Sequence, residues 1–262
     1  MQADSIKKTL GVSIGVCLIC SILVCSAVVS LKAIQNDNKK IDKLKNILLA
    51  GDLLEENTNI EETFKSKIKS AVVDLGSGKE VDETDVLNAE SFDIKTMARD
   101  PEFGMDIPSE KDLASIKRMP KNMVVYKVSG KDGVEKIILP LYGKGLWSTM
   151  YGFMALDKDL KTIKGFTFYE HGETPGLGGE VDNPKWKSQW NGKKAFDDNG
   201  EILITVIKGL VDPTNAKAGH QIDGLSGSTL TTRGIDNLIK FWLGKDGYGP
   251  YLKQLKGGGL NG

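Results

Sequence analysis

The chain has 262 residues, of which 40% are hydrophobic and 27% are charged, as is ordinary for a globular protein. Its 35 basic side chains balance its 35 acidic ones, so neither a nucleic-acid-binding surface nor an acidic interaction tail is indicated. About 200 residues follow the apolar N-terminal segment described next, enough for one mid-sized domain or two small ones.

The N-terminal segment from Thr9 to Leu31 contains no charged residue. As an α-helix it spans about 34 Å, slightly more than a bilayer hydrocarbon core of about 30 Å. A cleaved signal peptide is the alternative, with Lys7 and Lys8 as its basic start, but its apolar region is usually only about 7–15 residues long. The sequence therefore predicts a short N-terminal segment, residues 1–8, and a retained transmembrane helix, residues 9–31.

Residues 32–120 are expected to form a stalk and a helical or irregular region. Apolar residues recur there at helical spacing in two groups, the first being Ile41, Leu44 and Leu48 and the second Ile60, Phe64 and Ile68. This spacing predicts a stalk helix followed by a second helix. The stretch Asp74–Lys121 is polar and broken by glycine and proline, and it predicts no defined element.

Residues 121–255 carry the signals of a β-rich domain. Two strand pairs flank polar turns, namely Met123–Ser129 with Val134–Tyr142 and Leu146–Leu156 with Ile163–His171. Glu201–Lys208 predicts a further strand, and the glycine-rich residues 256–262 predict a flexible tail. The order of elements predicts an α+β fold, with a single N-terminal transmembrane helix followed by a domain on a largely antiparallel β-sheet with flanking helices.

The first of two unusual loops, Gly172–Gly179, has four glycines and one proline in eight residues and directly follows a predicted strand. Such a loop lets its backbone approach another group closely, whether a flat ring system or a neighbouring loop. It lacks the Gly-x-Gly-x-x-Gly order and the βα unit of a dinucleotide-binding site. Composition alone leaves both interpretations open.

The second loop, Asp223–Thr232, leads into a predicted helix, Leu230–Leu243. Apolar residues repeat there at helical spacing, namely Ile235, Leu238, Ile239 and Trp242. A helix start offers free backbone N–H groups and the positive end of the helix dipole, which suit a phosphate, although serine and threonine can also simply cap the helix. The lysine of a P-loop is absent, so ATP hydrolysis is not supported.

Other kinds of site find little support in the sequence. The two histidines, His171 and His220, lie beside the two loops without metal-ligand spacing, so no metal site is predicted. All three cysteines fall within the predicted transmembrane helix, where we interpret them as small apolar residues. No carboxylate pair or Gly-x-Ser-x-Gly elbow is present, and we predict no catalytic residue on this chain.

Residues 226–231, Ser-Gly-Ser-Thr-Leu-Thr, resemble the Ser-Gly-Ala-Thr-x-Thr signature of covalent FMN-binding domains. Three further blocks, Asp4–Leu10, Gly145–Phe153 and Glu173–Gly178, occur in family order. Across nearly its full length, the chain therefore resembles the C subunits of bacterial sodium-translocating NADH:quinone oxidoreductases. One departure is Ser228, which stands where the signature has alanine.

This resemblance implies an FMN whose phosphate is esterified to Thr231, the second threonine of the signature. It also implies that Trp147, Glu173 and Leu177 lie near the isoalloxazine ring. The other residues of the matching motifs are expected to help bind the cofactor, and they are Thr174, Gly178, Ser226, Gly227, Ser228 and Thr229. The resemblance assigns the attachment of FMN, from FAD, to a separate flavin transferase.

The implied function is one step of electron relay in a membrane oxidoreductase complex. An electron would pass from an iron centre in the membrane subunits, through the FMN, to a second flavin in a neighbouring subunit, with no NADH or quinone site on this chain. The resemblance also implies a single-pass protein of the bacterial inner membrane, with residues 1–8 cytoplasmic and the soluble FMN-binding domain, residues 121–255, periplasmic. The count of flanking lysines favours the opposite orientation.

Two other functions remain as alternatives. The flavin subunit of the related Rnf electron-transport complex has the same anchor and signature, but the Asp4–Leu10 start and the block around Trp147 favour the sodium-pumping family. From another class, the chain could be a membrane-anchored binding or sensor domain without a redox role, in which both loops are structural.

Overall fold

The computed structural model describes residues 5–131 and 133–258. The chain divides into two compact units, one ending at Lys43 and the other beginning at Leu44. Four sequence predictions extend beyond the described residues: residues 1–4 of the N-terminal segment, Asp4 in the N-terminal block, Asp132 in the first hairpin turn, and residues 259–262 of the tail. Residues 256–258 of the predicted tail belong instead to the last helix.

The first unit consists of most of a long helix. Helix α1 spans Ile6–Ala50, 45 residues, so the predicted membrane segment and the predicted stalk helix form one uninterrupted helix. Its large apolar side chains between Leu10 and Leu31 are exposed. Among the described residues, α1 is the one helix that is long and apolar enough to cross a bilayer. It therefore fits a single-pass membrane anchor.

The second unit begins with the last turns of α1. Its other helices are α2 (Ile60–Lys67), α3 (Ile94–Arg99), α4 (Pro184–Ser188), α5 (Thr229–Leu243) and α6 (Gly249–Gly258). Its strands are β1 (Ile68–Asp74), β2 (Glu80–Val81), β3 (Gly104–Asp106), β4 (Arg118–Pro120), β5 (Asn122–Gly130), β6 (Gly133–Lys144), β7 (Thr149–Asp157), β8 (Ile163–Glu170), β9 (Thr205–Val206) and β10 (Gln221–Ile222). Two short 3₁₀ helices span Gly178–Asp182 and Ala218–His220.

A six-stranded antiparallel sheet, in the order β2-β1-β5-β6-β7-β8, forms the centre of this unit. Both predicted hairpins are confirmed, because β5 pairs with β6 and β7 pairs with β8. Strand β7 begins only at Thr149, since residues 146–148 form a turn. The α+β fold with a largely antiparallel sheet is therefore confirmed.

The predicted strand Glu201–Lys208 is mostly wrong. Only β9 forms there, and it pairs in parallel with β10 outside the main sheet. The Asp236 carboxylate of α5 accepts hydrogen bonds from the Thr205 hydroxyl (2.7 Å) and the Val206 N–H (3.0 Å). Asp236 of the helix thus accepts a hydrogen bond from a backbone N–H group that a longer β-strand would use for pairing.

The predicted second helix ends earlier than its spacing suggests. Helix α2 stops at Lys67, and Ile68 begins β1, where it lies opposite Val128 of β5. Three β-branched residues of β1 are buried, namely Ile68, Val72 and Val73, and pairing within the sheet outweighs their helical spacing. The polar region that follows, which predicted no element, contains β2, α3, β3 and β4.

The central strands are covered on both faces. On one face, the turn after α1 lies against β6, because a Cβ at Gly51 would be 2.9 Å from Ile138 Cδ1. On the other face, α5 lies over Gly143. Residues 138 and 143 are an odd number of positions apart in one strand, so they face opposite sides of the sheet. This explains why residues 137–141 of β6 are all buried.

Helix α5 approaches the sheet closely because two glycines leave room for it. A Cβ at Gly143 would lie 2.4 Å from the Leu238 Cβ, and a Cβ at Gly234 would lie 2.3 Å from the Lys144 carbonyl oxygen. Both distances are too short for any side chain, so these two positions require glycine. The contact places the first turns of α5 beside the turn that follows β6.

Replacing Gly234 by alanine should therefore destabilise the protein, because the new methyl group would overlap the Lys144 carbonyl. Overpacking of this kind costs about 1–3 kcal/mol, which lowers the melting temperature by roughly 2–4 °C per kcal/mol in a domain of this size. Thermal unfolding followed by circular dichroism measures the change. Gly219→Ala is the control, since a Cβ there meets nothing within 4 Å. Equal melting temperatures for the two variants would contradict this account.

Candidate functional site

Three loops meet at one end of strands β6, β7 and β8. The first is the turn Leu146–Ser148 between β6 and β7, the second is Gly172–Gly179 after β8, and the third is Ser226–Thr232, which runs into α5. The end of β8 lies beside the start of β7, because Glu170 pairs with Tyr151. Both unusual loops of the sequence therefore belong to one site.

The Glu173 carboxylate is buried where the three loops meet. Its Oε1 accepts hydrogen bonds from the backbone N–H groups of Trp147 (2.9 Å) and Ser148 (3.2 Å). Its Oε2 accepts one from the Leu146 N–H (3.2 Å) and one from the Thr231 hydroxyl (2.6 Å). A single side chain thus joins all three loops.

These hydrogen bonds keep Glu173 ionised. Burial raises the pKa of its carboxyl, but the bond from Thr231 and those from three backbone N–H groups outweigh burial and hold that pKa below its ordinary value. The site therefore contains a fixed negative charge that is shielded from water.

Two glycines leave room for this carboxylate. A Cβ at Gly145 would lie 2.5 Å from Glu173 Oε1. A Cβ at Gly178 would lie 2.9 Å from Oε2 and 2.7 Å from the Thr231 hydroxyl oxygen. The close backbone approach expected of the glycine-rich loop is thus made to Glu173 and Thr231.

The threonine signature forms the start of α5, one residue earlier than predicted. The helix begins at Thr229, whose side chain is exposed, and its N-cap residue Ser228 is buried and makes no side-chain capping hydrogen bond. Thr231 lies inside the first turn and is fully buried, beneath the second loop. Ser226 is exposed, and Gly227 has a φ of 71°, a left-handed conformation that favours glycine.

Large apolar side chains are exposed at this site. Trp147 is 67% exposed and Leu177 is 43% exposed, although both belong to loops that Glu173 anchors. Leu177 also lies against the third loop, since a Cβ at Gly227 would be 3.0 Å from its Cδ2. Thr174 is exposed, and its carbonyl accepts hydrogen bonds from the Leu177 and Gly179 N–H groups, which closes the second loop into a turn.

Two supporting residues were missed by the sequence analysis. The Ser148 hydroxyl accepts a hydrogen bond from the Gly172 N–H (2.7 Å), which ties the first loop to the second. Asp182 bonds to His171 Nε2 (2.8 Å), and His171 Nδ1 accepts from the Glu173 N–H (3.3 Å). Ser148 lies within a block that matches the family, whereas nothing in the sequence singles out Asp182.

The other histidine lies apart from this network. His220 bonds through Nδ1 to the Lys194 carbonyl (2.8 Å), which is an ordinary polar contact of a loop residue. The two histidines therefore have separate partners, and neither contact involves a carboxylate cluster of the kind that holds a metal. Within the part of the chain that the structure describes, no group of three or more potential ligand residues is suited to a metal ion.

The arrangement fits an FMN. The exposed Trp147 and Leu177 side chains offer apolar surfaces to a planar ring. The start of α5, a helix of 15 residues whose N-cap side chain makes no capping bond, offers backbone N–H groups to a phosphate. The two requirements of the cofactor are met within one cluster of loops.

The FMN-binding domain family matches residues 145–244, a range that contains all three loops. The chain is 48% identical to the C subunit of the Na(+)-translocating NADH-quinone reductase of Pseudomonas aeruginosa, with 97% of this chain and 98% of that protein covered. It is 46% identical to the same protein of Haemophilus ducreyi, with 97% and 95% covered.

Two crystal structures have the same fold. NqrC of Shewanella oneidensis is 36% identical with a TM-score of 0.76, covering 84% of this chain and 99% of that one. The corresponding protein of Parabacteroides distasonis, also a C subunit of the Na(+)-translocating NADH-quinone reductase, is 28% identical with a TM-score of 0.63, covering 85% and 96%. The chain therefore belongs to the family of Na(+)-translocating NADH-quinone reductase C subunits, as the sequence predicted.

Glu173→Gln should destabilise the protein near neutral pH and less so in acid. The glutamine amide would direct its own N–H donors at some of the four groups that now donate to the carboxylate. Because the pKa of Glu173 is lowered by folding, its contribution to stability is present above the ordinary carboxyl pKa of about 4.3 and is lost as the pH falls through its lower folded value.

Melting temperatures of the wild type and of Glu173→Gln, measured from neutral pH to well below the ordinary carboxyl pKa of about 4.3, test this account. The difference between the two proteins should narrow as the pH falls, because the wild-type carboxylate becomes protonated. Other carboxylates that titrate in the same pH range affect the melting temperature of both proteins, so the difference between the two proteins reports on Glu173. A difference that stays constant over the range would mean that Glu173 is not ionised in the folded protein.

Proposed function

We propose that this chain carries FMN where its three loops meet and passes electrons through it as part of a Na⁺-translocating NADH:quinone reductase. The observation that carries the proposal is the pairing of an exposed apolar rim, Trp147 and Leu177, with the start of α5 inside the matched FMN-binding range. When bound, FMN supplies reversible electron uptake. The chain orients the ring, limits its contact with water and keeps Glu173 beside it.

The cofactor is bound covalently, through a phosphoester to the Thr231 hydroxyl. The family signature favours this residue, and two observations support it. Thr231 lies in the first turn of α5, where the helix dipole and uncapped backbone N–H groups favour a phosphate. Its hydroxyl also donates to an ionised carboxylate, the Oε2 of Glu173 at 2.6 Å.

Thr229 is the second candidate, because its side chain is exposed whereas Thr231 is buried. Accessibility alone would favour Thr229. However, the cover over the Thr231 hydroxyl is the backbone of Gly178, which belongs to a surface loop. Moving Gly178 aside, while Glu173 keeps its hydrogen bonds, would expose the hydroxyl without unfolding the sheet or the helix. Ser228 is a poorer candidate, since it is buried and stands where the signature has alanine.

A separate flavin transferase attaches the FMN, taking it from FAD. The Thr231 oxygen bonds to the phosphorus on the FMN side, the phosphoanhydride bond breaks, and AMP leaves with the electron pair of that bond. The product is a phosphodiester that joins the chain to riboflavin. The surrounding motif residues, Thr174, Gly178, Ser226, Gly227 and Thr229, border this position and are proposed to contact the bound cofactor.

The other partners follow from the names of the relatives, which are parts of a larger reductase. We propose that the FMN receives an electron from an iron centre in the membrane subunits and passes it to a second flavin in a neighbouring subunit. The chain itself contributes no NADH or quinone site. The relatives favour the sodium-pumping reductase over the Rnf complex, and the FMN-binding match favours a redox role over a sensor domain.

The chain is proposed to lie in the bacterial inner membrane, with residues 1–8 cytoplasmic, residues 9–31 spanning the bilayer and the FMN-binding domain, residues 121–255, periplasmic. The exposed apolar surface of α1 supports the anchor. The orientation rests on the family resemblance. The number of lysines on each side of the helix favours the opposite orientation, but large domains often cross the membrane regardless of such charges.

The anchor predicts how the protein fractionates. The full-length chain should stay in the membrane pellet after high-salt and alkaline washing and should require detergent, because removing an apolar spanning helix from lipid is costly. A truncated chain that begins at Lys32 should be found in the soluble fraction. Release of the full-length chain by the alkaline wash would show that α1 does not span the bilayer.

The acceptor is tested by fluorescence on a denaturing gel, where only covalent flavin remains with the protein. Thr231→Ala, produced with an active flavin transferase, should lose the fluorescent band. It should remain folded, because losing a hydrogen bond to a charged group costs about 1.5–3 kcal/mol, less than the stability of an ordinary domain. Circular dichroism checks the fold.

Two neighbouring hydroxyls supply the controls. Thr229→Ala should keep the band, and so should Ser228→Ala, which restores the usual residue of the signature. The acceptor would be Thr229 rather than Thr231 if Thr231→Ala still carried stoichiometric covalent FMN and Thr229→Ala carried none.

A further inference from the structure

The Thr231 hydroxyl and the Glu173 carboxylate form a hydrogen-bonded pair that is buried inside the protein. The hydroxyl donates a 2.6 Å hydrogen bond to Oε2, and the relative exposure is 0% for Thr231 and 5% for Glu173. The Gly178 backbone lies against this pair, because a methyl group there would lie 2.7 Å from the hydroxyl oxygen. The hydroxyl proton therefore points at the carboxylate and not at water.

A threonine hydroxyl needs such a partner before it can attack phosphorus. Its proton is held tightly at neutral pH, so an unassisted hydroxyl is a weak nucleophile, and enzymes activate it with an adjacent base. A general base must lie within about 2.6–3.2 Å of the atom that gives up its proton. Glu173 Oε2 meets this requirement without any rearrangement of its side chain.

The other bonds of Glu173 hold it in place for this task. Its Oε1 accepts from the Trp147 and Ser148 N–H groups, so the carboxylate cannot turn away from Thr231 without losing them. Oε2 accepts only one further hydrogen bond in the described structure, from the Leu146 N–H at 3.2 Å. The oxygen nearest the hydroxyl is therefore the one best able to take a proton.

We propose that Glu173 is the catalytic base of the chain's own flavin attachment: its Oε2 takes the Thr231 proton as the Thr231 oxygen bonds to the FMN phosphorus of FAD. This inference rests on the proposed function, with Thr231 as the acceptor.

The step balances without any further reactant. The proton moves from the Thr231 oxygen to Oε2, the oxygen–phosphorus bond forms, and the phosphoanhydride bond breaks with its electron pair leaving on AMP. Once the phosphodiester lies beside Oε2, two negative charges would face each other if the carboxylate were ionised. While Glu173 holds the proton, that repulsion is absent.

The test measures how fast covalent FMN forms. Full-length chain produced without a transferase, purified in detergent, is mixed with FAD and an excess of an active flavin transferase. Fluorescent product is followed on denaturing gels. Glu173→Gln keeps the length of the side chain but cannot take the proton, and its limiting rate at saturating transferase should fall about a hundredfold.

A matched control separates this role from a loss of local structure. Thr232→Val removes another buried hydroxyl from the same helix turn, one that accepts a hydrogen bond from the Leu225 N–H (3.0 Å) and is not among the described hydrogen-bond partners of the Glu173 carboxylate. It should lower the melting temperature but keep the limiting rate within about twofold of the wild type. A change in docking alone would alter the transferase concentration needed for half-saturation rather than the limiting rate.

Glu173→Asp gives a second measurement. It keeps a base but draws the carboxylate back by about one carbon–carbon bond, roughly 1.5 Å. Its limiting rate should lie between those of the wild type and of Glu173→Gln. If Glu173→Gln does not fold, a rate at least tenfold below the wild type in folded Glu173→Asp supports the proposal, and an unchanged rate refutes it.

The inference and the proposed function fail in different ways. A wild-type limiting rate in folded Glu173→Gln, or an equal loss of rate in Thr232→Val, would refute the role of Glu173 and leave an FMN protein modified at Thr231. Rapid attachment to Thr231→Ala would instead show that the acceptor is another residue.

Discussion

A negative charge inside a protein is costly unless hydrogen-bond donors surround it, and the Glu173 carboxylate is such a charge. Its four donors come from the turn after β6 and from α5, while Glu173 itself belongs to the loop after β8. These three elements must keep fixed positions for as long as the carboxylate is ionised. The exposed apolar side chains of the site therefore rest on a rigid support, although each of them lies in a loop.

The same constraint explains why the surroundings are rich in glycine. The Glu173 carboxylate lies 2.5 Å from where a Cβ of Gly145 would be and 2.9 Å from that of Gly178. Helix α5 meets the sheet through Gly143 and Gly234 at even shorter distances. Removing side chains at these points lets backbone and carboxylate approach each other closely. The glycine content of the loop indicated that its backbone approaches another group closely, but only the fold shows that this group is the Glu173 carboxylate or the Thr231 hydroxyl.

Local signals predicted the hairpins because a polar turn between two β-rich segments largely specifies its own pairing. They failed at Ile68, because its spacing from Phe64 also fits a helix. Its strand conformation is determined by pairing with β5, which is distant in the sequence. The donors to the Glu173 carboxylate lie 25 to 58 residues away along the chain, so no local pattern could identify them. The resemblance to a family located the loops but said nothing about which of their side chains are buried.

Helical periodicity, in contrast, distinguishes the two threonines of the signature. Ile235 of α5 is buried, and counting back four residues gives Thr231 while counting back seven gives Ser228. Both of these are buried, whereas Thr229 falls off the stripe and is exposed. Ser228 is the buried N-cap residue, so serine in place of alanine there is compatible with Thr231 as the proposed acceptor.

The proposed acceptor, Thr231, is a buried residue, which would combine reactivity with protection from water. An exposed hydroxyl at Thr229 is easy to reach, but water solvates it and competes with it for the phosphorus. The Thr231 hydroxyl has a carboxylate at hydrogen-bond distance and lies against the Gly178 backbone, so the proposed base is within reach of its proton while the hydroxyl is shielded from water. On this proposal, the position of Glu173 rather than accessibility selects among the neighbouring hydroxyls.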